Sequence, residues 1–295
     1  MTLYALRLAI HYEFDRPTGA GRQLFRILPA DVPGLQRLHL VRVMLSPAPA
    51  ERVEFTDFFG TRVIEVAMPP GLTTFDLVLE ARVEREVPDP ELDMSPPPAA
   101  LVAEIAACRD VAHASPHHFL APSRRIPAMP AVARFAASAV RGAPTVQQAI
   151  VRLGQALHRT MTFDAKATLV DTPPDQAFAQ RRGVCQDFAQ IMVGGLRSLG
   201  IPAAYVAGYL RTLPPAGQPR LVGADAMHAW VRAWAGEKAG WVDFDPTNAC
   251  LVRGDHIDVG FGRDYDDVAP VTGMLRLDGS QTGSHSVDIE ALDGP

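Results

Sequence analysis

Of the three cysteines in this 295-residue chain, Cys185 stands where a thiol can be made to react. It lies in RRGVCQDFAQIMVGGLRSLG (residues 181–200), where Val184, Phe188, Ile191, Met192, Leu196 and Leu199 recur at helical spacing. The run stops at Gly200, with Pro202 just beyond. Cys185 therefore falls in the first turn of a helix. A thiol is a weak nucleophile until it ionises, and a helix N-terminus favours the thiolate through its unpaired N–H groups and dipole. Arg181 and Arg182 upstream would add positive potential, and Gly183 would let a substrate backbone come close. A free cysteine on a helix is otherwise core filler, so the reactive reading needs a base.

DAMHAWVRAWAG supplies one. Strand alternation puts His228, Trp230, Arg232 and Trp234 on one face, and in the following GWVDFDPTN it puts Trp241, Asp243 and Asp245 on one face. A hairpin closed by residues 235–240 pairs Trp234 with Trp241, Arg232 with Asp243 and Trp230 with Asp245. His228 is then diagonal to Asp245, at a backbone separation of roughly 7–8 Å. A longer loop would set His228 opposite Asp245, and only a much looser one would pair it with Asp243. Asp245 is accordingly assigned to hold the imidazole, and Asp243 to a cross-strand ion pair with Arg232. The carboxylate fixes one ring nitrogen as N–H and leaves the other free to take the thiol proton.

GVCQDFAQIMVGGLRSLGIPAAYVAGYL, DAMHAWVRAW and GWVDFDPTN resemble the three blocks of the transglutaminase-like superfamily, whose papain-like core carries a catalytic cysteine, histidine and aspartate in this order. The resemblance implies Cys185, His228 and Asp245 as the catalytic residues. The first 90 residues look like the β domain that precedes the core in a bacterial group of the family, and FGRDYDDVAP resembles that group's tail; residues 89–145 resemble it more weakly. Gln190 departs from the pattern, since histidine is expected there in many relatives, which bears on substrate detail. The implied activity is a cysteine peptidase or amidase acting through an acyl-thioester. The alternatives are a protein-glutamine transamidase with an amine acceptor, or a non-catalytic peptide-binding scaffold. The Cys185 N–H is the natural first oxyanion donor, and the indoles of Trp230 and Trp241 lie near enough on the hairpin to be considered for a second.

Animal members of the family need calcium, yet there is no EF-hand loop here and GRDYDD reads as a hydrogen-bonded acidic turn. His113, His117 and His118 in HASPHH lack metal-ligand spacing and read as an exposed loop. No cofactor or metal is expected, and Cys108 and Cys250 are read as structural.

The elements that must position these groups give an α+β chain. Leu6, Leu8, Ile10, Tyr12 and Phe14 alternate with polar residues, as do Phe75, Leu77, Leu79, Ala81 and Val83, and short branched runs lie between. Residues 1–88 read as an all-β sandwich. Residues 89–145 read as a proline-rich and helical linker that opens with VPDPELDMSPPPAA, and 146–295 as a transglutaminase-like core of one helix on a mainly antiparallel sheet, with C-terminal strands. Thr145 and Gln148 form a possible capping box for a helix that follows. With 28 basic and 33 acidic residues and a net charge of −5, neither nucleic acid nor an anionic membrane is an expected partner; a peptide or protein amide is. Three scattered cysteines give no disulfide framework and fit a reducing compartment. The opening MTLYALRLAIHYEF lacks the pattern of a signal peptide, and a cytoplasmic location is expected.

Overall fold

A computed structural model describes residues 1–87, 92–212, 223 and 225–292. Residues 88–91, inside the expected proline-rich boundary, lie outside the described set. Six strands come first: β1 (Thr2–Phe14), β2 (Gly21–Phe25), β3 (Gln36–Ser46), β4 (Glu51–Thr56), β5 (Arg62–Met68) and β6 (Thr74–Arg85). Next come helices α1 (Pro98–Ala107), α2 (Pro130–Ala139), α3 (Val146–Thr160), α4 (Pro174–Gln180) and α5 (Cys185–Ser198), with the two-residue strands β7 (Thr162–Phe163) and β8 (Arg182–Gly183) between them. Strands β9 (Ala203–Leu210), β10 (Ala226–Trp234), β11 (Trp241–Asp245), β12 (Cys250–Leu251) and β13 (His256–Gly262) follow, then α6 (Tyr265–Val268), β14 (Val271–Leu275) and β15 (Gln281–Ala291).

The sandwich has two four-stranded sheets, ordered β15-β1-β6-β3 and β14-β2-β5-β4. Its period-two faces behave as the sequence predicts: Leu6, Leu8, Leu77, Leu79 and Val83 are buried in one core. The last two strands correct the expected boundary, because β15 pairs with β1 and β14 with β2, so the chain returns to complete the sandwich rather than extend the core. Val287 and Ile289 are buried with Leu6 and Leu8. Alternation predicts a strand with a buried face; it does not say which distant sheet that face will join.

The segment 89–145 is also more than a linker. Leu101, Ile105, Val132 and Ala136 on α1 and α2 share a hydrophobic core with Leu153 of α3 and Leu196 of α5. At the centre of that core, α5 buries almost its whole circumference, including Gln190 and Arg197, where the sequence showed one apolar stripe. Arg197 is satisfied by the carbonyls of Ala203, Ala121 and Arg263 and by the Ser123 hydroxyl.

Behind α5 stands a five-stranded antiparallel sheet in the order β12-β11-β10-β9-β13. Ala229, Val231 and Ala233 face the helical core, whereas Tyr209, Ile257 and Val259 pack with the sandwich. The two regions are tied by a buried ionic chain: Arg85 of β6 donates to Asp258 Oδ2 at 2.6 Å, and Arg232 bridges Asp258 and Asp243. The hairpin register pairs Trp234 with Trp241 and Arg232 with Asp243, as the residue pattern predicts.

Close packing also fixes Gly154 on α3, where a Cβ would lie 2.1 Å from the Phe244 ring of β11. Gly154→Ala should lower the urea unfolding midpoint, with overpacking of about 1–3 kcal/mol exceeding the roughly 1 kcal/mol that alanine gains in a helix. A raised midpoint would contradict this packing.

Candidate active site

Cys185 is the first residue of α5, after Val184 at the N-cap. Asp187 holds that first turn: its Oδ2 accepts the Val184 N–H at 2.8 Å and the Thr168 hydroxyl at 2.6 Å. Burial raises the Asp187 carboxyl above the ordinary range, opposed by those two hydrogen bonds. Gly183 is required by this packing rather than by a substrate, since a Cβ there would sit 2.5 Å from Asp187 Oδ2. The two upstream arginines are engaged elsewhere. Arg181 stacks its guanidinium 3.9 Å from the Phe178 ring centroid, and the exposed Arg182 lies 3.7 Å from Asp164.

His228, near the start of β10, and Cys185 line one cleft. His228 Nε2 donates to Asp245 Oδ2 at 2.8 Å, which leaves Nδ1 for Cys185. Burial opposes a charge on the imidazole, but hydrogen bonds to Asp245 and to Cys185, and the negative charge of both, raise it to about 10. Asp245 is fully buried, and burial opposes its charge as well. Its five donors prevail and hold the carboxyl well below the usual range: besides His228 these are His256 Nε2 at 3.1 Å, Asn248 Nδ2 at 2.7 Å, and the backbone N–H groups of Thr247 at 2.8 Å and Asn248 at 3.1 Å. The diagonal His228–Asp245 contact is the one expected from the register. Asp243 likewise takes the separate role expected of it, with Arg232 donating to both its oxygens at 2.8 and 2.7 Å.

A histidine whose folded pKa is raised stabilises the fold fully below its unfolded value near 6.5, and that contribution is lost as pH rises towards the folded value. The stability difference between the native protein and His228→Gln should therefore shrink between about pH 6.5 and pH 10, read from urea midpoints across that range. A gap that widened with pH would contradict a protonated His228.

Two residues in this arrangement were not singled out from the sequence. Asn248 was legible in principle, because D-P-T-N is an Asx-type turn that folds back on its first carboxylate. His256 was not: it lies on β13, three strands from β11 in sheet order, and reaches Asp245 only because the sheet curls. The ligand atoms of His228, Asp245 and His256 all lie within 4.8 Å of one another, a spacing compatible with a metal. Hydrogen bonding accounts for it, since both Nε2 atoms and the Asn248 amide converge on the same carboxylate oxygen.

Neither indole considered as an oxyanion donor lines the cleft that holds Cys185 and His228. Trp230 Nε1 donates to Asp243 Oδ2 at 3.2 Å, and Trp241 packs edge-on against Phe119 at 5.5 Å. In the acidic turn, Asp264 caps α6 through the Asp266 N–H, Asp266 bonds Arg125, and Asp267 bonds Arg263. His117 donates to the carbonyl of Cys108, and His118 to those of Val111 and Ala112. All three cysteines are free. Cys250 stands opposite Asp245 in the β11–β12 pair, and enclosure of its sulfur together with that carboxylate pushes its thiol up to about 11, partly offset by Arg253.

A helix opening on a cysteine, set against an antiparallel sheet that carries a histidine–aspartate pair, is the papain-like arrangement. Residues 133–246 match the transglutaminase-like superfamily, and residues 4–84 match the bacterial transglutaminase-like N-terminal region. The uncharacterized protein Rv2569c of Mycobacterium tuberculosis is 32% identical over 272 residues, covering 88% of this chain and 83% of that protein. The chain belongs to the transglutaminase-like superfamily. A protein-glutamine gamma-glutamyltransferase of Pseudomonas aeruginosa is 40% identical over 120 residues, 39% of this chain and 18% of the relative. The fold matches that of a candidate cysteine protease from Cytophaga hutchinsonii with a TM-score of 0.78 at 21% identity, covering 100% of this chain and 92% of that one. Among the described residues no helix is long and apolar enough to cross a membrane.

Proposed function

We propose that this protein is a cysteine-dependent amide-bond hydrolase that works through an acyl-thioester on peptide or protein amides. The observation that carries the reading is the continuous chain from Cys185 through His228 to Asp245, with the acid fully buried and saturated by donors. The Cys185 sulfur attacks the amide carbonyl carbon, and the carbonyl π electrons move onto oxygen. Collapse of that intermediate breaks the C–N bond, and His228 delivers its proton to the leaving amine. His228 then takes a proton from water as water attacks the thioester carbon; the C–S bond breaks, the acid leaves and the Cys185 sulfur is restored beside the protonated ring, while Asp245 holds that ring throughout.

The P. aeruginosa relative's name gives the second reading, in which an amine rather than water accepts the acyl group. Support for water comes from the cleft lining, which among the described residues offers no carboxylate to receive a cationic lysine or polyamine. The test is product analysis after incubation with a glutamine-containing peptide library, with and without a millimolar primary amine. Free acid as the main product in both cases supports hydrolysis, and an amine adduct replacing it supports the transferase.

A further inference from the structure

The thioester chemistry calls for a second oxyanion donor besides the Cys185 N–H, and neither Trp230 nor Trp241 lines the cleft. Tyr205 on β9 lines the cleft with Cys185 and is only 3% exposed. A buried tyrosine hydroxyl ordinarily finds a partner. Among the described residues none bonds the Tyr205 hydroxyl, and its oxygen is not wholly enclosed, so it opens into the cleft rather than into packed protein. The ring is held from one side by Tyr265, edge to face at 6.2 Å.

Resting on the acyl-thioester reading, we infer that the Tyr205 hydroxyl is the second oxyanion donor, hydrogen-bonding the oxygen that becomes negative when Cys185 attacks the carbonyl. No proton is transferred: the phenol donates to the oxyanion while the carbonyl carbon is tetrahedral, and the contact weakens when the C=O bond re-forms and the leaving group departs. Such a donor must stay protonated. Burial, followed by the negative charge of Cys185, raises the Tyr205 hydroxyl well above its usual range. Among the described residues it bonds neither the thiol nor any other group, so it needs no rearrangement to serve an oxygen arriving in the cleft.

The test compares native protein with Tyr205→Phe in two reactions of the same sulfur. p-Nitrophenyl acetate acylates through a tetrahedral oxyanion, read as the burst of p-nitrophenolate; iodoacetamide alkylates by direct displacement and forms none. Tyr205→Phe should slow the burst by a factor on the order of 10²–10³. Its KM, its iodoacetamide rate and its unfolding midpoint should stay near native values, which a purely structural tyrosine would not do. A burst within about threefold of native, or an equal fall in both reactions, overturns the assignment alone. Native protein that alkylates but never acylates overturns the acyl-thioester reading and this assignment with it.

Discussion

His228→Ala should slow acylation at Cys185 by a factor on the order of 10⁴–10⁶, the loss seen when the base of a nucleophile–histidine pair is removed. The imidazole meets Asp245 through Nε2 and Cys185 through its other nitrogen, so it is placed both to take the thiol proton and to return it to the leaving group. Iodoacetamide labelling at pH 6 reads the first half of this role. Native Cys185 should be modified well ahead of Cys250, whose thiol is pushed up to about 11, and His228→Ala should remove that lead. Equal labelling of Cys185 in native and variant protein would mean that His228 does not activate the sulfur.

Asp245→Asn should reduce acylation by a factor on the order of 10³–10⁴, the effect of losing the carboxylate that sets the imidazole tautomer. The neighbouring acid supplies the control. Asp243 bonds Arg232 and the Trp230 indole, and no bond links it to His228 or Cys185. Asp243→Asn should therefore leave acylation within about tenfold of native while lowering stability by up to about 3 kcal/mol, because the partly buried Arg232 keeps, among the described residues, only Asp258 as a counter-charge. If Asp243→Asn were the worse catalytic lesion, Asp245 would not be the residue that orients the ring.

The contrast between these two acids was legible in the sequence because strand alternation and loop length together set the register of β10 on β11. The α5 start at Cys185 was legible for a similar local reason, an apolar period ending at Gly200. What escaped was set by distant chain segments. His256 joins Asp245 through the curl of the whole sheet, and β14 and β15 complete a sandwich begun more than 200 residues earlier. Gly183 looked like room for substrate, but its lack of a side chain serves Asp187 across the first helical turn. Tyr205 sat unremarked inside the apolar run of β9, because only the folded cleft shows its hydroxyl, which none of the described residues bonds, in the same cleft as Cys185.

Mass analysis of the peptide containing Cys185, after brief exposure to p-nitrophenyl acetate and acid quench, tests the central claim most directly. An acetyl increment on Cys185 that hydroxylamine removes, and that is missing from His228→Ala at the same time point, is the predicted result. An unmodified Cys185 in native protein, or acetyl found instead on Cys108 or Cys250, would contradict it.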